Sequence, residues 1–149
     1  LLKLNSNASE ESVSWNWNPT STTITTGGNA HHGGGGQIWY IWHSVAGVSK
    51  FGTYSGGANN TTVCGFRPRW LLIKRTVAGG ENNYQWNLTD EFRGYTTSGG
   101  SGNYLTPDWS GTEDANGGYG VELLDNGFSL GGSLSINGSG ATYMFAAFA

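Results

Sequence analysis

Val121-Glu-Leu-Leu-Asp-Asn-Gly-Phe-Ser-Leu130 places two short apolar runs on either side of Asp125-Asn-Gly127. Asn-Gly accepts the positive φ angles that a tight hairpin requires, so the stretch predicts a hairpin of two strands, 121–124 and 128–130, joined by that turn. Working toward the C-terminus, Ser133-Leu-Ser-Ile136, the turn Asn137-Gly138 and the run from Thr142 to Ala149 predict a second hairpin. That last run ends on Phe145-Ala-Ala-Phe148-Ala149 with no charge, and a terminus so apolar needs cover. It is expected as a central strand, with Tyr143, Phe145 and Phe148 as candidate subunit-interface residues.

Working toward the N-terminus, the same period of two recurs. Tyr84-Gln-Trp-Asn-Leu88 and Ser12-Val-Ser-Trp-Asn-Trp-Asn18 alternate apolar and polar residues, as a half-buried strand does. Residues 50–54 and 70–76 read as further strands, and 20–26 as a short one. Residues 38–45, Ile-Trp-Tyr-Ile-Trp-His-Ser-Val, are apolar on both parities and predict a strand covered on both faces. Gly27 to Gly36, with His31-His32 and four consecutive glycines, is a loop, and Pro68 fixes a strand-entry turn. Residues 96–118, dominated by Gly, Ser and Asn, read as a long loop carrying a short strand near Tyr104-Leu105. No window shows a sustained 3.6-residue apolar period with caps. The expected fold is all-β, an antiparallel β-sandwich (jelly-roll or concanavalin-like) of about eight to ten strands.

The 149 residues suit one domain, which at this size buries about 68–70% of its unfolded surface. Residues 1–11 read as an arm and 12–149 as a single domain, compatible with being the C-terminal part of a larger protein. Only 11% of residues are charged, and the 26 glycines are accompanied by seven tryptophans, which argues for an ordered chain with many tight turns. Seven basic against ten acidic residues argue against nucleic-acid binding. No apolar run of 18 residues exists, so no membrane-inserting helix is expected. The single Cys64 cannot close an intrachain disulfide and is expected as a small buried hydrophobe.

Three blocks carry a further signal: Gly47-Val-Ser-Lys-Phe-Gly-Thr-Tyr-Ser-Gly56, Gly65-Phe-Arg-Pro-Arg-Trp-Leu-Leu-Ile-Lys-Arg75 and Thr142-Tyr-Met-Phe-Ala-Ala-Phe-Ala149. Together, from about Trp39 to Ala149, they resemble a domain of uncharacterised role that recurs in structural and fibre proteins of marine tailed phages. The chain departs from that pattern at the Gly33-Gly36 tract and at Arg69-Trp70. The resemblance implies a non-enzymatic virion component (tail fibre, spike or capsid appendage) found on an extracellular particle. It further implies assembly of repeated copies with one another and with other virion proteins; the two-face apolar runs at 38–45 and 143–149, more than one small sandwich covers, predict a homotrimer.

Chemistry at individual residues adds little against that expectation. Adjacent His31 and His32 point to opposite sides in an extended backbone and do not readily share a metal, and His43 on a strand reads as structural. The elbow G-x-S-x-G is absent, and no spacing fixes Asp90-Glu91 or Asp108, Glu113 and Asp114 across a scissile bond. No cofactor is expected. Asp108, Ser110, Thr112 and Asp114 offer alternating oxygens for calcium, but the terminal bidentate Glu is missing. Arg67, Arg69, Lys74 and Arg75 are read as structural pairing partners. Loop aromatics carry the binding expectation: Tyr104 and Trp109 are the candidate surface-recognition residues, for host-surface glycans among other ligands. A lectin-like carbohydrate-binding module and a secreted bacterial filament or adhesin subunit are the alternatives.

Overall fold

The computed structural model describes residues 16–17, 20–23, 26–27, 40–58, 60–77, 85–93, 103–113, 120–131 and 134–149. Among the described residues, nine strands and one helical turn run in the order β1 Asn16–Trp17, β2 Thr26–Gly27, β3 Ser49–Ser55, β4 Asn60–Val63, β5 Trp70–Val77, β6 Trp86–Asp90, β7 Val121–Leu124, β8 Gly127–Leu130, α1 Leu134–Asn137 and β9 Thr142–Phe148. Apart from the small β1-β2 pair they form two antiparallel sheets, ordered β3-β9-β5-β6 and β4-β8-β7. The chain is an all-β antiparallel sandwich. The C-terminal strand β9 is central, flanked by β3 and β5, as its apolar sequence demands.

The hairpin that opened the reading is present, with Leu124 opposite Gly127 and Asp125-Asn126 as its two turn residues. Gly127 is therefore the first residue of β8. Its φ is +154°, and a Cβ there would collide with the Thr62 carbonyl of the neighbouring β4, so glycine is required twice over. That close approach lets Asn126 O accept from Cys64 N at 2.9 Å.

The core lies between the sheets. Tyr54, Leu71, Ile73, Tyr143, Phe145 and Ala147 from the four-stranded sheet meet Leu123, Phe128 and Leu130 from the three-stranded one. Phe128 packs edge-on against Phe145 at 5.3 Å and against Tyr54 at 6.2 Å, tying the layers together. Gly52 sits under Phe145, where a Cβ would come within 2.9 Å of the ring, so the small residue makes room for the large one. Full burial of an aromatic or aliphatic side chain of this class contributes about 1.5–3 kcal/mol. Cys64 is buried, and burial pushes its thiol up, with Lys50 acting in the opposite direction, so it behaves as the small hydrophobe expected.

Two expectations are corrected. The strand expected at 133–136 is, over its described residues 134–136, part of a helical turn, α1, whose backbone is held by side chains. Tyr54 Oη donates to Ile136 O at 2.6 Å, and Gly138 N donates to Tyr143 Oη at 2.9 Å. Asn137 Nδ2 donates to Leu130 O and Gly131 O, while its Oδ1 accepts from Gly57 N. With Ile136 buried, these bonds give the Ile136 carbonyl and the Gly138 N–H partners without a strand ladder. Nor do residues 40–45 form a doubly covered strand. Tyr40, Ile41 and Trp42 are 73%, 63% and 63% exposed, because the chain turns at Val45 to Val48 and enters β3 only at Ser49. Ile38 and Trp39, the N-terminal arm, the greater part of the residue 12–18 strand, and His31 and His32 lie outside the described residues.

Candidate functional site

The long loop expected over 96–118 is, in its described part, stitched to the edge of β6. Leu88 and Leu105 exchange both backbone hydrogen bonds at 2.9 Å, and Asn103 N donates to Arg93 O at 3.0 Å. At the other end Asp108 Oδ1 accepts from Trp86 N at 3.1 Å. The short strand expected at Tyr104-Leu105 is therefore real, as a bridge that covers an open sheet edge.

This pairing separates the two recognition candidates. Directly opposed bridge residues share a face, so Leu105 lies with Leu88 on the outer side, and alternation turns Tyr104 inward with Asn87 and Thr89. Tyr104 is 7% exposed, which corrects its assignment as a surface-recognition residue. Trp109 follows the turn from Thr106, lies against Gly111 and is 54% exposed, leaving the rest of its ring open. Phe92, 89% exposed at the tip of the turn after β6, is a second outward ring that alternation could not flag, because it falls outside any strand.

Charged groups around the same edge are structural. Asp90 accepts through Oδ1 from Phe92 N and Arg93 N at 3.0 Å, and its Oδ2 pairs with the Arg93 guanidinium. Arg93 also reaches Glu113 at 3.2 Å, and Arg69 pairs with Glu91 at 3.2 Å. Arg67 lies 3.4 Å from Asp125. Asp90 and Glu91 are thus tied up with arginines rather than opposed across a cleft. Asp108 gives one oxygen to the β6 backbone, its other oxygen is buried without a hydrogen bond, and Asp114 lies outside the described residues. Among the described residues no group of three His, Cys, Asp or Glu side chains is placed to hold a metal ion. His43 is exposed on the segment before β3, with Nδ1 3.0 Å from Ser44 O.

Strand β9 corrects the interface candidates. Tyr143 and Phe145 are 0% and 3% exposed and face the three-stranded sheet, so they belong to this chain's own core. Phe148 is on the opposite parity and half-buried. Register places Ala146 beside Phe51 and Leu72, Met144 beside Thr53 and Lys74, and Phe148 beside Ser49 and Trp70. Phe148 meets Phe51 edge-on at 5.6 Å and Trp70 at 5.4 Å. The outer face of the four-stranded sheet is therefore mixed, with half-buried Phe51, Trp70, Leu72, Met144 and Phe148 among Ser49, Thr53 and Lys74. Lys74 lies on it, fully buried, its ammonium 5.3 Å above the Trp86 ring; burial lowers its pKa and nearby Asp108 opposes that shift. The exposed Tyr40 and Trp42, stacked at 6.1 Å, stand just ahead of β3 at the side of this sheet.

A family match covers residues 1–149. The chain belongs to the DUF7483 family. That family's description is Domain of unknown function (DUF7483), so DUF7483 membership assigns no activity, substrate or partner. No curated protein and no solved structure matches the chain. Among the described residues no helix is long and apolar enough to cross a membrane.

Proposed function

We propose that this DUF7483 chain is a non-enzymatic structural subunit of a tailed-phage particle, part of a tail fibre, spike or capsid appendage. Its work is assembly: a rigid sandwich that associates with copies of itself, as a homotrimer, and with other virion proteins. The observation that carries the assembly reading is the apolar surface outside the core, in which Tyr40, Ile41 and Trp42 stand exposed beside a half-covered aromatic sheet face. A group of exposed large apolar side chains is a common mark of an interaction site. The phage setting is supported by the sequence resemblance, whose three blocks become β3, β5 and β9, neighbours in one sheet. Mass spectrometry of purified particles from a phage encoding the chain tests this. Its presence at a fixed copy number supports the reading, and its absence from intact particles overturns it.

A lectin-like role is the second reading, favoured by the exposed Trp109 ring on the ordered 103–109 segment. Such a ring stacks on sugar faces, and loops held on a rigid β-scaffold are where binding residues concentrate. A glycan array separates the two readings.

A further inference from the structure

We infer that the Trp109 ring and the Arg93–Glu113 pair form a shallow site for an uncharged hexopyranose glycan, on the segment that covers the edge of β6. The inference deepens the lectin-like reading and rests on it. A ring that stacks on a sugar works best with one face supported and the other open. A Cβ at Gly111 would overlap Cε3, Cζ3 and Cη2 of the Trp109 ring about equally, which places the Gly111 backbone against the face of the ring rather than its rim. The 54% exposure of Trp109 therefore belongs to the opposite face and the rim.

The platform is also anchored. Asp108 Oδ1 accepts from Trp86 N at 3.1 Å, and Trp109 N donates to Thr106 O at 3.0 Å, so the backbone just before the ring is tied to β6 and to its own turn. A ring already held in place costs little further ordering when a ligand arrives.

Polar groups lie within reach of it. Glu113 is two residues beyond Gly111, a span of at most about 7 Å. Its Oε2 accepts from Arg93 Nε at 3.2 Å, and the two side chains are 39% and 32% exposed. Arg93 directs a second N–H to Asp90, and a guanidinium carries five, so donors remain for sugar hydroxyls while the Glu113 carboxylate accepts from others. A pyranose offers the matching pair of surfaces: a C–H face for the ring and hydroxyls at its margin for the ion pair.

Charge selects among sugars. One arginine stands against two carboxylates here, and the neighbouring Arg69 is paired with Glu91 at 3.2 Å. An acidic sugar therefore meets no surplus cation, and an uncharged one meets no penalty.

The test is an array of neutral linear glucose, galactose and N-acetylglucosamine oligosaccharides beside sialylated and uronic-acid glycans, probed with the whole chain and followed by calorimetric titration of the oligosaccharides that bind. Neutral oligosaccharides are expected to bind. Trp109→Ala, Gly111→Ala and Glu113→Ala are each expected to weaken that binding at least about tenfold while leaving the melting temperature unchanged. Gly111→Ala is the sharpest of the three, because the added methyl displaces the supported ring and meets no backbone neighbour. If neutral oligosaccharides bind but any one of the variants binds them as well as the parent, or if only acidic glycans bind, the site is overturned and the lectin-like reading stands. A parent that binds no glycan overturns both.

Discussion

Phe145→Ala and Phe148→Ala lie three residues apart on β9 and face opposite sides, and their stabilities should differ sharply. Phe145 is 3% exposed, touches Phe128 at 5.3 Å and Tyr54 at 6.4 Å, and overlies Gly52. Truncation removes a ring from a site where two other rings and a glycine cannot collapse fully into the space. Transfer and cavity terms together give about 3–5 kcal/mol for a buried Phe→Ala change. At about 2–4 °C per kcal/mol for a chain of this size, the melting temperature should fall by roughly 6–20 °C. Phe148 is half-buried against Phe51 and Trp70, so its loss should cost about 0.8–1.5 kcal/mol, near half the transfer value of a fully buried ring. Urea unfolding monitored by tryptophan fluorescence measures both, read at concentrations where the parent and variants share one association state. Equal losses, or a loss below about 1 kcal/mol for Phe145, would refute the assignment of inner and outer faces.

Other perturbations probe separate parts of the account. Gly127→Ala should destabilise by about 2 kcal/mol or more in a chemical melt, since it combines positive φ with a collision against Thr62; a neutral result would show that the hairpin sits elsewhere. Trp109→Ala should leave stability within about 0.5 kcal/mol, whereas Tyr104→Ala should cost several times more, and the reverse order in thermal melts would invert their placement. Burial, with a smaller contribution from Tyr143, holds the Tyr54 phenol well above its ordinary value. Above about pH 10 the unfolded chain loses that proton while the folded chain keeps it, so stability is complete at lower pH and falls as pH rises. Lys74, lowered by burial, works the other way over the alkaline range. Tyr54→Phe should therefore flatten the alkaline decline in melting temperature, and an unchanged slope would remove Tyr54 as its cause.

Period-two patterning located β3, β5, β6, β7, β8 and β9 because each packs one apolar parity against a neighbouring layer, and register follows from that parity. Asn60-Thr-Thr-Val63 escaped notice because β4 is short and mostly polar, held by pairing to β8 rather than by a buried face. The helical turn α1 has the same apolar spacing as a strand, and its conformation is fixed by hydroxyl and amide groups distant in sequence, Tyr54 and Asn137 among them. Apolar residues on both parities at 40–42 suit a doubly covered strand, and sequence does not show whether the cover comes from the same chain. Likewise, Tyr104 and Trp109 look alike in a polar loop. Only the Leu88-Leu105 bridge decides which ring turns inward.

Native mass spectrometry of the purified chain tests the central claim, self-assembly through apolar surface left outside the core, most directly. The expected result is a dominant species at three times the 15.8 kDa chain mass, reduced to single chains by Ile41→Asp. A spectrum holding only the 15.8 kDa species at all concentrations would contradict it.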